Sequence, residues 1–185
     1  KVLIISNGYL ALSYRRELII KLIEEGYDVF ISIPESEKTK FFSNIGCKII
    51  DTPVERRGIN PFKDMLLVLK YTKIMKKINP DVVLTYTIKP NVYGTFAASI
   101  YKKPVIMNIT GIGSAFASSK LRYIASLLYK YACKKAYFVF FQNESNYSLF
   151  VSNKLVEPHK SKIIPGSGVN IERFKPVEKQ NKDGI

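Results

Sequence analysis

Val2-Leu3-Ile4-Ile5-Ser6 leads through the polar turn Asn7-Gly8 into a stretch of helical period from Tyr14 to Glu25. Gly26 follows, and then a second run, Val29-Phe30-Ile31-Ser32-Ile33. Both runs are nearly continuous in apolar residues rather than alternating, which is the pattern of strands buried on both faces of a parallel sheet. Between them Leu18, Ile19, Leu22 and Ile23 recur at helical spacing, and Gly26 provides a C-terminal stop. Strand, loop, helix and strand in this order form the repeating unit of a parallel sheet with helices on both faces.

The same alternation continues along the chain. Further strands are predicted at Lys48 to Asp51, Val82 to Tyr86, Val105 to Ile109, Phe138 to Phe141 and Lys162 to Ile164, giving about seven when Val2 to Ser6 and Val29 to Ile33 are included. The longest helix should run from Pro61 to Ile78. Proline is tolerated in its first turn, Leu67, Tyr71, Ile74 and Ile78 share one face, and Pro80 follows its end. Other helices fit Val92 to Tyr101, Leu121 to Lys135 and Ser145 to Ser152, and residues 176–185 read as a polar tail. The expected fold class is α/β, doubly wound, with a mainly parallel sheet of about seven strands.

Composition bounds the function. The 185 residues are 46% hydrophobic and 12% aromatic, which supports one domain with a proper core and excludes disordered and collagen-like chains. Lys plus Arg outnumber Asp plus Glu by 29 to 15, a formal charge of +14 that points to an acidic partner or surface. Cys47 and Cys133 have no metal-ligand spacing and imply no disulfide framework, so no metal is expected and a reducing cytoplasm is the simplest compartment. No stretch approaches the roughly 20 apolar residues of a membrane-spanning helix. The first residues read as a strand and not as a secretory leader.

In an open sheet of this kind ligands bind beyond the carboxyl ends of the strands, so the loops that follow the strands hold the candidate site. The first loop contains only Gly8 and lacks the dinucleotide fingerprint. Arg15 and Arg16 open the next helix, where a guanidinium would clamp a phosphate or carboxylate; a solvated helix start is the alternative. Thr110, Gly111, Gly113 and Ser114 follow the fifth strand either as a close approach to a ligand or as a plain turn. Thr85-Tyr86-Thr87-Ile88-Lys89-Pro90-Asn91 offers hydroxyls, an ammonium and an amide suited to sugar hydroxyls or phosphate, or else ordinary loop polarity.

Glu144 is conspicuous because no acidic residue occurs between Val82 and Asn143, where eight basic ones do. Lys102, Lys103, Lys120, Arg122, Lys130, Lys134 and Lys135 belong to that basic half. Tyr123, Leu127, Leu128 and Tyr131 are interleaved on a helix that would lie against anionic lipid or face solvent. No nucleic-acid-binding motif is present. His159, in Pro-His-Lys, reads as a surface residue.

Taken in order, five segments carry a resemblance: Glu55-Arg56-Arg57-Gly58-Ile59-Asn60-Pro61, residues 85–91, Asn108-Ile109-Thr110-Gly111-Ile112-Gly113-Ser114, Phe140-Phe141-Gln142-Asn143-Glu144 and Pro165-Gly166-Ser167-Gly168-Val169-Asn170-Ile171-Glu172-Arg173-Phe174. Together they resemble bacterial family 4 glycosyltransferases. More narrowly, they resemble the capsular, O-antigen and glycan-assembly members that add a hexose or N-acetylhexosamine to a sugar on a polyprenyl diphosphate carrier. The resemblance implies the N-terminal half of a GT-B enzyme with two Rossmann-like domains, acceptor held mainly by the first and nucleotide-sugar donor by the second, with retaining transfer and neither metal nor other cofactor. It further implies an acceptor-binding domain over residues 1–170, the start of a linker over 171–185, and no turnover without the second domain.

On that resemblance Asn7, Arg15, Lys89, Asn91, Asn108, Thr110, Gly111, Gly113, Ser114 and Glu144 are expected to line the acceptor cleft, while no catalytic residue is assigned. Many family members carry a histidine near the position of Thr110, which is given no acid or base role here. Lys130, Lys134 and Lys135 are expected to face an anionic membrane surface, which places the protein in the bacterial cytoplasm, peripheral at the inner face of the plasma membrane. The expected partners are a nucleotide sugar, a polyprenyl-diphosphate-linked sugar and that membrane, with no nucleic acid. Two rival readings share the residues: a UDP-sugar 2-epimerase, against which the scarcity of carboxylates and histidines counts, and a basic module that binds anionic lipid or nucleic acid without turnover.

Overall fold

The computed structural model describes residues 1–55, 60–112, 119–172 and 174–175. Seven parallel strands form one sheet: β1 (Val2–Ile5), β2 (Val29–Ile33), β3 (Lys48–Asp51), β4 (Val82–Tyr86), β5 (Val105–Ile109), β6 (Phe138–Phe141) and β7 (Ser161–Ile163). Their order across the sheet is β3-β2-β1-β4-β5-β6-β7. The chain therefore works outward from β1 in one direction, then returns to the other side of β1 and works outward again. The predicted Rossmann-like, doubly wound architecture is the one observed, with strand boundaries within a residue of those read from the sequence.

Successive residues of a strand point to opposite faces, and β1 shows what each face buries. Val2 and Ile4 pack with Ile19 of α2 (Arg16–Glu24) and Phe42 of α3 (Lys40–Asn44). Leu3 and Ile5 pack instead with Leu67, Tyr71, Ile74, Met75 and Ile78 of α4 (Pro61–Ile78) and with Ala97 and Ala98 of α5 (Thr95–Ile100). A third cluster joins β5 and β6 to Tyr129, Ala132 and Cys133 of α6 (Ser119–Lys135) and to Phe150 of α7 (Glu144–Ser152).

The termini of α4 follow from its sequence. Asn60 caps it by accepting from the Lys63 amide at 3.1 Å, Pro61 takes the first position, and Asn79 closes it in the left-handed region at φ 50°. Pro80 then bars continuation.

Three elements differ from expectation. The helix predicted from Tyr14 begins at Arg16 as α2, and the stretch read as a loop before it holds a short helix, α1 (Tyr9–Ser13); Arg15 stands between them outside helical geometry, its guanidinium donating to the Ala11 carbonyl. The helix predicted from Val92 opens earlier, with a wide π turn at Pro90–Gly94, since Pro90 has no N–H to donate. Between β2 and β3 a short turn, Glu37–Thr39, and α3 were not predicted. A reciprocal Ser36 and Thr39 capping box starts them, and five residues are too few to show a period.

Burial raises the Cys47 thiol to about 11 and the Cys133 thiol to about 12, and lifts the hydroxyls of Tyr71 and Tyr129 above their usual range. The unfolded chain releases the thiol protons near about pH 8.5 and the phenol protons near about pH 10, while the folded chain still holds them. Stability should therefore be flat below about pH 8.5 and fall above it, by about 1.4 kcal/mol per pH unit for each group in its titrating window. Urea midpoints measured from pH 7 to 10.5 test this, and Cys47→Ala should flatten the alkaline decline.

Candidate functional site

Reversal of strand order at β1 and β4 opens a crevice at their carboxyl ends, the place where parallel sheets of this type hold ligands. A cavity of about 390 Å³ lies there, walled by Asn7 and Gly8 after β1, Leu10, Ala11, Tyr14 and Arg15 around α1, Thr87 after β4, Thr110 after β5, Gln142 after β6 and Ser167 after β7. A second cavity of about 180 Å³ shares Tyr14, Arg15, Gln142 and Ser167 and adds Glu17, Leu18, Tyr86, Asn108, Ile164 and Gly166. Loops from five strands thus converge on one site.

Arg15 is its centre. The residue is only 7% exposed, and its guanidinium lies over the Tyr86 ring, 4.4 Å from the centroid. One terminal nitrogen donates to the Ala11 carbonyl, while the other is buried without a hydrogen-bond partner. Burial lowers its pKa, opposed by the Tyr86 hydroxyl, but an arginine stays charged throughout the accessible range. A buried cation with a free donor accepts an anionic or strongly polar group.

Around it stand neutral groups and one carboxylate, Glu17, which accepts from the Asn170 amide at 3.0 Å. The Asn108 Oδ1 and the Thr87 hydroxyl are both buried without partners. Thr87 holds φ at 75°, a conformation that a β-branched residue adopts at a cost of order 1–3 kcal/mol. The Gln142 amide donates to the Ser167 hydroxyl at 2.8 Å and joins two loops across the opening.

Of the residues expected at the cleft, Asn7, Arg15, Asn108 and Thr110 come together here, while Gly111, next in the chain, lines neither cavity and has open space where a side chain would stand. Gly113 and Ser114 lie outside the described residues, as do Arg56, Arg57, Gly58, Ile59 and Arg173 of the motifs. Arg16 is turned away, stacked on Phe41 with its carbon 3.9 Å from the ring centroid and bonded to the Tyr9 hydroxyl.

Three expected residues sit elsewhere. Lys89 points into the neighbouring helix layer, where its ammonium meets the Asp64 carboxylate at 2.7 Å, both side chains nearly buried. They border a separate groove of about 500 Å³ with Pro53, Val54, Glu55, Lys63, Leu66, Leu67 and Lys70. Asn91 is buried beneath the cleft and donates to the Asn108 carbonyl at 3.1 Å, so it positions Asn108 and does not line the cavity. Glu144 is exposed in the first turn of α7, where it accepts from Ser148 at 3.1 Å and the helix dipole favours its charge.

Lys130, Lys134 and Lys135 are exposed on the second half of α6. His159 is exposed and pairs with Glu157 at 3.3 Å, beyond the opposite edge of the sheet. No cluster of metal-ligating side chains occurs among the described residues. Sequence reasoning passed over Thr87, Gln142 and Ser167 as site residues. All three stand in the quoted loop motifs, but only their distances reveal that the loops meet.

A doubly wound parallel sheet with a polar crevice at its switch point defines a Rossmann-like ligand-binding domain. The chain belongs to the Glycosyl transferase 4-like family, whose profile matches residues 1–143.

Among curated proteins it is 29% identical to the N,N'-diacetylbacillosaminyl-diphospho-undecaprenol alpha-1,3-N-acetylgalactosaminyltransferase of Campylobacter jejuni, over 97% of this chain and 50% of that protein. It is 27% identical to the UDP-Gal:alpha-D-GlcNAc-diphosphoundecaprenol alpha-1,3-galactosyltransferase of Escherichia coli, over 84% of this chain and 41% of that protein. The chain spans about half the length of the curated relatives it matches.

The fold is also that of Anabaena Alr3699/HepE, solved with UDP and glucose, with a TM-score of 0.68 at 16% identity over 96% of this chain and 47% of that one. A solved UDP-N-acetylglucosamine 2-epimerase is similar as well, with a TM-score of 0.66 at 12% identity over 88% of this chain and 47% of that one.

The buried pair gives a direct test. Lys89→Met leaves the Asp64 carboxylate buried and unpaired and should cost about 3–5 kcal/mol, whereas Asp64→Leu with Lys89→Met should recover most of that loss. Urea unfolding of the two variants measures the difference. Equal destabilisation of single and double variants would mean that α4 is not held by this pair.

Proposed function

We propose that the chain is the N-terminal, acceptor-binding part of a retaining glycosyltransferase that moves a hexose or N-acetylhexosamine from a nucleotide diphosphate sugar onto a saccharide carried by a polyprenyl diphosphate. The observation that carries the reading is the Arg15 guanidinium, buried at the switch point with an unused donor and surrounded by the amide and hydroxyl groups of Asn7, Asn108, Thr110 and Gln142. One buried positive charge beside amide and hydroxyl groups, with a single carboxylate, Glu17, at the second cavity, suits a sugar next to a phosphate or other anion.

The names of both curated relatives support the same chemistry, because each describes glycosyl transfer onto an undecaprenyl diphosphate sugar. Transfer from UDP-Gal to give an alpha-1,3 product, as one of those names states, keeps the donor's anomeric configuration. In this reading Arg15 steadies negative charge at the cleft, Asn108 and Thr110 orient sugar hydroxyls, and the Gln142 to Ser167 bond closes the far wall. Donor binding and the leaving diphosphate belong chiefly to a second domain, and electrostatic support there carries much of the catalysis.

Work takes place at the inner face of the plasma membrane, where such acceptors are held. No helix among the described residues is long and apolar enough to cross a membrane, and the contact in this reading is peripheral. The lysines of α6 supply the attraction to anionic lipid. The epimerase alternative shares the fold, but both named relatives at 27–29% identity are transferases.

Calorimetric titration with a short-chain polyprenyl diphosphate sugar, alongside a UDP-N-acetylhexosamine, tests the reading at low and moderate salt. The lipid-linked sugar should bind and the nucleotide sugar only weakly, and Arg15→Ala should weaken the former by about tenfold or more, the scale of one charged hydrogen bond. Strong binding of the nucleotide sugar alone would assign the cleft to the donor. Binding of neither, beyond a salt-screened effect, would favour the basic-module reading.

A further inference from the structure

Asp64 and Lys89 tie α4 to the turn after β4, but a purely structural role leaves part of their chemistry unused. A pair this enclosed, with side chains 7% and 11% exposed, contributes little beyond what packed apolar side chains would give in the same place. It also carries a defect. Oδ1 of Asp64 meets the Lys89 ammonium at 2.7 Å, while Oδ2 is buried without a hydrogen-bond partner. The Tyr93 hydroxyl faces the same carboxylate, its pKa raised by burial and then by the Asp64 charge, yet Oδ2 still lacks a bond of normal geometry. A carboxylate left in this state has capacity for a further donor, and going without one is costly.

The pair stands in the wall of the groove of about 500 Å³, a volume in the range of small-ligand sites. Pro53, Val54 and the half-exposed Leu66 give that groove an apolar side. Its charges are largely balanced. Lys63 meets Glu55 at 3.1 Å, as Lys89 meets Asp64, so two of the three ammonium groups among its described lining residues already face carboxylates. Two carboxylates in the wall repel a phosphate, and the paired ammonium groups do not select one. An uncharged polyhydroxylated ring fits better, because its hydroxyls both donate to a carboxylate and accept from an ammonium, while its C–H face rests on aliphatic side chains.

Topology joins the groove to the cleft. Lys89 and Thr87 belong to the same turn after β4, and Thr87 walls the cavity beside Arg15. The residues after β3 and the first turn of α4 lie at that same carboxyl edge of the sheet. A ligand with more than one sugar residue could therefore reach both openings from one side of the domain.

We propose that the groove is a second carbohydrate subsite, in which Asp64 accepts from and Lys89 donates to the hydroxyls of an uncharged sugar residue while Leu66 supports its apolar face. This deepens the acceptor reading above and rests on it, the ligand being a sugar residue of the acceptor saccharide other than the one beside Arg15.

Methyl NMR on leucine-labelled protein tests the subsite with probes that carry neither lipid nor phosphate. The methyl glycosides of N-acetylglucosamine, N-acetylgalactosamine, galactose and glucose are titrated into the millimolar range, with inorganic pyrophosphate as the anionic comparison. At least one sugar should shift the Leu66 and Leu67 methyls along a saturating curve that Leu10 and Leu18, at the Arg15 cavities, do not follow. Asp64→Leu with Lys89→Met, the variant expected to recover stability, should nevertheless weaken this response by about tenfold or more, the scale of a charged hydrogen bond. Leu66→Ala changes a half-exposed residue outside the core and should weaken it by about threefold or more.

A sugar response confined to Leu10 and Leu18 would overturn the groove and leave the acceptor reading standing. Silence of every methyl towards all four sugars would overturn it as well, and so would shifts of Leu66 and Leu67 with pyrophosphate alone. An unchanged response in both variants would show that Asp64, Lys89 and Leu66 do not form the site. If the groove binds a sugar as expected but the lipid-linked sugar binds nowhere, the subsite holds and the acceptor reading fails.

Discussion

Burial of β1 on both faces is the constraint on which the structure depends. Four residues, Val2 to Ile5, are essentially inaccessible to solvent, and their backbones pair with β2 on one side and β4 on the other. A strand held in this way must send alternate side chains into two separate helix layers. The helices between β1, β2 and β3 must lie on one face and those from β3 onward on the other, since right-handed crossovers running in opposite directions from β1 admit no other arrangement. The crevice at the ends of β1 and β4 is a by-product of that reversal. The site thus exists because of where the sheet changes direction, before any particular side chain is considered.

Two polar devices then set how that crevice is used. Arg15 stands between α1 and α2 outside helical geometry, and from there it carries a guanidinium across Tyr86 into the opening. Asp64 and Lys89 do the opposite, since their mutual pairing removes both charges from the surface and ties α4 to the turn after β4. One cation is left with a donor to spare, and the other has a carboxylate as its partner. The difference lies in the neighbours: a carboxylate within reach satisfies Lys89, while an aromatic face and a carbonyl satisfy Arg15 only in part.

Much of the fold was legible in the residues. Val29 to Ile33 and Phe138 to Phe141 could only be buried strands, and Asn60-Pro61 and Asn79-Pro80 punctuated α4 at the ends it has. The short α1 and α3 escaped because five residues cannot display a period. For the site, the loops after the strands were the right place to look. Within them, hydroxyl, amide and cationic side chains looked equivalent, and so Lys89, Asn91 and Glu144 were grouped with Arg15.

Local pattern determined the element types, their order and the edge of the sheet where polar loops gather, because apolar periodicity and caps act over a few residues. Tertiary structure alone decided that Lys89 faces Asp64, that Gln142 reaches Ser167 and that Phe62, Met65 and Leu66 of α4 stay exposed. Each depends on the separation of groups that are remote in sequence, 25 residues apart in both of the first two cases. Such separations are set by strand order and helix rotation, which no single segment encodes.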